Sequence, residues 1–126
     1  MSTHTLGELQ HAIMRVLWSD GPASAAAVHA ALYSERGLAP TTIATMLRKM
    51  EDKGVVDHRV DQRHFVYRAT ISEQEVRSTM VSELVERLFA GDPAALVSHL
   101  VDDRSITADE LELARELLDG VEKEQR

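Results

Sequence analysis

Residues 39–54 read APTTIATMLRKMEDKG, and the periodicity of this stretch decides how the rest of the chain is read. A helix turns roughly 100° per residue, so its faces can be assigned by counting. Ile43, Met46, Leu47 and Met50 fall together on one side, and Thr41, Thr42, Thr45, Arg48 and Lys49 on the other. Acidic residues come late, at Glu51 and Asp52, and only Asp52 shares the threonine and arginine face. Pro40 suits the first helical turn, where its missing N–H costs nothing. Lys53 and Gly54 end the helix, a cation in the last turn followed by a glycine stop.

The polar face has the chemistry a major groove asks for. Threonine offers a hydroxyl to a phosphate or base edge and a methyl to thymine; arginine and lysine reach guanine acceptors or phosphates. Threonine is also a mediocre helix former, so three on one face suit a purely solvent-facing role poorly. Composition alone leaves an ordinary solvated face equally open, because charged outer faces are common.

The flanking segments favour the nucleic-acid reading. Upstream, Leu6, Leu9, Ile13, Val16 and Leu17 recur at helical spacing after a Thr5-x-x-Glu8 capping box, and Asp20-Gly21-Pro22 stops that helix. Trp18 at its end is expected to anchor the core. Ser24 caps a second, alanine-rich helix running to about Ser34, with Val28 and Leu32 inward and Gly37 at its end. Downstream the period changes from helical to alternating. Residues 55–60 and 64–69, joined by Asp61-Gln62-Arg63, predict a two-stranded hairpin that must lean on the helices. Three helices followed by a hairpin is the winged helix-turn-helix order. A wing tip carrying Arg63 could meet the phosphate backbone or minor groove, although Asp57 and Asp61 dilute the charge of the hairpin.

Two more capping boxes follow, Ser72-x-x-Glu75 and Thr107-x-x-Glu110, with a Gly91-Asp92-Pro93 break between them. They predict three further helices. The first runs to about Ala90 with Val76, Met80, Leu84 and Leu88 inward and Val81, Val85 and Phe89 beside them. The second holds Leu96, Val97, Leu100 and Val101, and the third Leu111, Ala114, Leu117, Leu118 and Val121.

The totals bound the reading. The 126 residues fit one domain, or a small domain with an oligomerisation extension. Aromatic residues make up only 4%, so the core must be mainly aliphatic, and many Ala and Leu with few aromatics favour helix over sheet. The net charge of −7 is unevenly spread, near neutral before residue 71 and strongly acidic after it. An acidic helical C-terminal part is not a nucleic-acid surface, whereas a near-neutral N-terminal part with one clustered face can be. No cysteine is present, which excludes disulfides, thiolate metal sites and thiol catalysis. No signal peptide and no run of roughly 20 apolar residues is visible, so a cytoplasmic protein without a membrane partner is expected. His4, His11, His29, His58, His64 and His99 show no metal-ligand spacing, although His58 and His64 could meet across the hairpin. No phosphate loop or catalytic set is recognisable, so neither an enzyme nor a cofactor is expected.

Three segments taken together, LGELQHAIMRVLW, LAPTTIATMLRKMEDKGVVDHRVDQRHFVYRATISEQE and LFAGDPAALVSHLVDD…ITADELELARELL, resemble the penicillinase-repressor family (the BlaI/MecI/CopY group) across nearly the whole chain. The resemblance implies a homodimeric repressor whose winged helix, residues 1–71, binds a dyad-symmetric operator and whose C-terminal helices, residues 72–126, make the dimer. The set expected to contact DNA is then Thr41, Thr42, Thr45, Arg48, Lys49, Arg63 and Ser24. The expected dimer interface is Leu84, Leu88, Leu96, Leu100, Leu111, Leu117 and Leu118. Three departures stand out. Ala44 replaces a basic residue found between the threonines of some members. The Asn-Phe bond cut in proteolytically inactivated members is matched by His99-Leu100, so that inactivation is not expected. The Cys-x-Cys pairs of copper-responsive members have no counterpart. A winged helix that binds protein rather than DNA is the alternative that the overall charge supports.

Overall fold

The computed structural model describes residues 6–124, so Thr5 of the first capping box and His4 lie outside the described residues. The order is α1 (Glu8–Asp20), β1 (Ala23–Ser24), α2 (Ala25–Arg36), α3 (Pro40–Lys53), β2 (Val56–Asp61), β3 (His64–Ala69), α4 (Glu73–Phe89), α5 (Pro93–Asp102) and α6 (Ala108–Glu124). The chain divides into two compact units, one ending at Val81 and the other beginning at Ser82.

The first unit is a winged helix-turn-helix. Each boundary has a local cause. The Ser24 hydroxyl accepts from Ala27 N–H at 3.1 Å and opens α2. Gly37, with φ of 59°, takes the left-handed conformation that a side chain resists and closes it. Pro40 begins α3, and the N–H of Gly54 turns back to the carbonyls of Met50 and Glu51. The sheet has the order β1-β3-β2, antiparallel throughout, with Ser24 opposite Val66 and His58 opposite Tyr67. The third strand was not expected. It is two residues long, too short to carry a period of two in its sequence.

The core sits between the three helices and the base of the sheet. Ile13 and Met14 of α1, Val28 and Leu32 of α2, Ile43, Leu47 and Met50 of α3, and Val55, Val56 and Tyr67 form one buried cluster. Burying each large aliphatic there contributes roughly 1.5–3 kcal/mol. Val76 of α4 belongs to the same cluster and Met80 packs against it. Trp18 anchors the edge, partly buried, with its indole N–H donating to the Ile71 carbonyl at 2.9 Å.

The second unit holds the rest of α4 with α5 and α6. Asp92 caps α5 by accepting from Ala94 N–H at 3.0 Å. The Thr107 box forms in both directions, with Glu110 N–H donating to the threonine hydroxyl at 3.2 Å and Thr107 N–H to Glu110 Oε1 at 2.9 Å. Val85 is the only buried hydrophobic residue of this unit among the described residues. Leu84 and Leu88, expected inward, are exposed, Leu88 to 67%. Leu117 and Leu118 are exposed to 66% and 63%. Among the described residues, this unit fully buries little apolar surface within one chain.

Truncating Leu47 to alanine removes a fully buried side chain from the middle of α3. The expected loss is about 2–5 kcal/mol of unfolding free energy. Urea denaturation followed by circular dichroism measures it.

Candidate nucleic-acid interface

The packing of α3 fixes what it displays. Ile43, Leu47 and Met50, at helical spacing, are fully buried. Thr41, Thr42, Thr45, Arg48 and Lys49 are thereby turned outward, and all five are exposed. Met46, expected on the inner side, lies at the edge of that face and is half-buried. Its sulfur accepts from Gln10 Nε2 at 3.5 Å. Gln10 Oε1 also accepts from Lys53 Nζ at 3.3 Å, so α1 grips the inner margin of α3 at two places.

The wing turns through Gln62 and Arg63, whose φ values of 48° and 71° are both left-handed. A two-residue loop with two positive φ values is the I′ type, which matches the twist of paired strands. The loop is one residue shorter than expected, because Asp61 belongs to β2 and pairs with His64. Alternation then sorts the hairpin into two faces. One carries Val56, His58 and Val60 opposite Ala69, Tyr67 and Phe65. The other carries Asp57, Arg59 and Asp61 opposite Arg68, Val66 and His64. His58 and His64 therefore lie on opposite faces, and the suggested meeting of the two across the hairpin does not occur. Among the described residues, no three histidine or acidic side chains are placed to share a metal ion.

Charge on the wing is partly neutralised. Asp57 accepts two hydrogen bonds from Arg68, at 2.7 and 3.0 Å. This fork holds the Asp57 carboxyl below the usual aspartate range and raises the pKa of the guanidinium. Arg59 lies 3.7 Å from Asp61. Arg63 at the tip and Arg48 and Lys49 on α3 make no ion pair with any described residue.

Between α3 and the wing runs an open groove of about 570 Å³. Its walls are Ala44 and Arg48 of α3, residues 24–26 at the start of α2, and His64, Phe65 and Tyr67 of the wing. Among the described residues, no carboxylate lines it. Ser24 thus joins the groove, while Arg63 sits one residue beyond it at the wing tip. Burial raises the pKa of the Tyr67 phenol and the nearby Glu51 adds to the effect, with Arg48 opposing both.

The sequence reading missed one contact set. His58 Nδ1 lies 2.6 Å from Glu51 Oε1, and the His58 ring stacks on Phe65 with centroids 3.9 Å apart and planes 13° from parallel. The shared face of His58 and Phe65 follows from strand alternation, but the reach to Glu51 depends on how α3 crosses the sheet. In the second unit, the expected dimer residues Leu84, Leu88, Leu117 and Leu118 are exposed, and Leu96, Leu100 and Leu111 are half-buried. No helix among the described residues is long and apolar enough to cross a membrane.

A family model described as "Penicillinase repressor" matches residues 6–120. Transcriptional regulator BlaI of Mycobacterium tuberculosis (strain ATCC 25618 / H37Rv) is 34% identical over 93% of this chain and 85% of its own length. Methicillin resistance regulatory protein MecI of Mammaliicoccus sciuri is 23% identical over 92% of this chain and 94% of its own. A solved structure of a MarR family protein from Bacillus stearothermophilus aligns with a TM-score of 0.48 and 18% identity, over 95% of this chain and 75% of that one. At that distance the likeness bears on neither fold nor function.

Removing the Arg68 guanidinium with Arg68→Ala should let the Asp57 carboxyl titrate nearer the ordinary aspartate value. A depressed carboxylate stabilises the folded state above its unfolded pKa, and that contribution disappears as pH falls through the folded value. Carboxyl carbon NMR titration of wild type and variant reads the shift; an unchanged Asp57 midpoint would show that the fork does not persist in solution.

Proposed function

The chain belongs to the penicillinase repressor family, a family of transcriptional repressors rather than enzymes, and on that premise we propose that it is a sequence-specific DNA-binding repressor acting as a homodimer on a dyad-symmetric operator. The observation that carries this reading is the outer face of α3, where Thr41, Thr42, Thr45, Arg48 and Lys49 stand exposed and the two cations make no ion pair with any described residue. In this reading α3 enters the major groove, the threonines and Arg48 meet base edges, and Lys49 meets phosphate or guanine. Arg63 meets the backbone from the wing tip. Ser24 keeps its capping bond, since its hydroxyl accepts there and can still donate its hydrogen to a phosphate. Ala44 provides a small apolar surface at the groove edge, suited to a thymine methyl.

Residues 1–71 carry DNA binding and residues 72–126 dimerisation. The support for a dimer is the second unit itself. Its exposed leucines, with Val85 alone buried among the described residues, are apolar surface that water disfavours and a second copy would cover. Leu84, Leu88, Leu96, Leu100, Leu111, Leu117 and Leu118 form that contact. The pairing brings two recognition helices to successive half-sites, about 34–36 Å apart, and two weak contacts then act as one strong one. A repressor of this kind works in the cytoplasm, needs no cofactor and has DNA and its own copy as partners.

The net charge of −7 favours a second reading, a winged helix that binds a protein and not DNA. A gel shift with the duplex upstream of the chain's own gene, followed by footprinting, separates the two. Repression requires a specific, dyad-centred footprint at low salt; without one, the protein-binding reading stands. Arg48→Ala and Lys49→Ala should each weaken binding roughly tenfold, and losing a phosphate contact should reduce the salt slope by about 1. The pair Leu117→Glu and Leu118→Glu should halve the mass seen by sedimentation and weaken operator binding in the gel shift. A dimer that survives both substitutions places the interface elsewhere.

A further inference from the structure

The outer half of the wing is held by little. Every residue from Arg59 to Phe65 is exposed, and a two-stranded ribbon without packing is marginal in water. The ion pairs Asp57–Arg68 and Arg59–Asp61 join wing residues only to one another. The most direct polar link from the outer wing to the recognition helix is His58, beside an edge contact of Phe65 with the buried Tyr67. Glu51 of α3 accepts from His58 Nδ1 at 2.6 Å, and the His58 ring lies flat on Phe65, two residues from Arg63 at the tip. His58 and Glu51 are both half-buried, which shields this hydrogen bond from competing water.

We propose that His58 is a positioning residue: bonded to Glu51 and stacked on Phe65, it sets the distance between wing and recognition helix so that Arg63 and the α3 face reach one duplex together. The proposal rests on the DNA-binding reading above. Rigid spacing matters because a second contact strengthens the first only when both can be made without new ordering. With His58 removed, the tip samples positions in which Arg63 misses its phosphate, and α3 binds alone. His58 touches no DNA in this arrangement and acts through Arg63.

A double-mutant cycle tests this, using a labelled duplex from upstream of the chain's own gene titrated over a range of salt. His58→Ala should weaken binding roughly five- to tenfold and lower the salt slope by about 1, as Arg63→Ala does. In the Arg63→Ala background, His58→Ala should add little, since the contact it positions is already gone. Phe65→Ala, which leaves the Glu51 bond in place, should show the same dependence on Arg63. Glu51→Gln, which keeps an acceptor for His58, should retain most of the affinity. A purely structural role would leave the salt slope unchanged, and a direct DNA contact by His58 would add to the Arg63 loss; either result overturns the proposal while the wild-type shift keeps the DNA reading intact. A wild-type chain that shifts no duplex overturns both.

Discussion

The structure depends on the burial of one edge of α3. Ile43, Leu47 and Met50 enter the same cluster as Ile13, Met14 and Val28, and this contact sets the rotation of the helix about its own axis. Rotation is what decides display. A slip of one residue would turn the helix by roughly 100° and carry the threonines toward the core. The apolar edge therefore specifies the polar face as strictly as it stabilises the fold. Gln10 of α1, bound to Met46 and Lys53, fixes the same rotation from the side.

The two units solve the problem of apolar surface differently. The first buries its aliphatic residues within the chain, around Tyr67 and three helices. The second leaves most of its leucines outside, on helices that are well capped but poorly covered. Its charge follows the same division, with the acid concentrated after residue 70. Acidic residues around apolar faces keep such a surface soluble and disfavour its contact with a polyanion. The same charge that argues against nucleic-acid binding by the whole chain thus leaves the winged helix free for it.

Much of this was legible in the sequence, and what was not has identifiable causes. The three long helices of the first unit, their Pro40 and Gly54 punctuation and the Ser24 cap rest on interactions within a few residues, and sequence shows those directly. The inward positions of α3 were readable because a helix must bury one side. Leu84 and Leu88 show the limit: periodicity marks them as destined for burial but cannot say whether the cover comes from the same chain. β1 escaped because two residues carry no pattern, and its strand character comes wholly from pairing with Val66 and Tyr67. The Glu51–His58 bond escaped because it joins two elements whose crossing only the folded chain defines.

The Gln62–Arg63 turn has a consequence for how such a wing can change over time. Its register assigns aromatic residues to one face and the Asp57–Arg68 fork to the other, pair by pair from Asp61–His64 downward. A slip of one residue in pairing would exchange the two faces along one strand, so a single residue added at the tip must be taken up in a longer loop or a bulge. Lengthening the ribbon by whole pairs would preserve both faces. The paired ribbon is thus free to vary in reach only in steps of two residues, and the identity of the tip side chains can drift far more readily than their number.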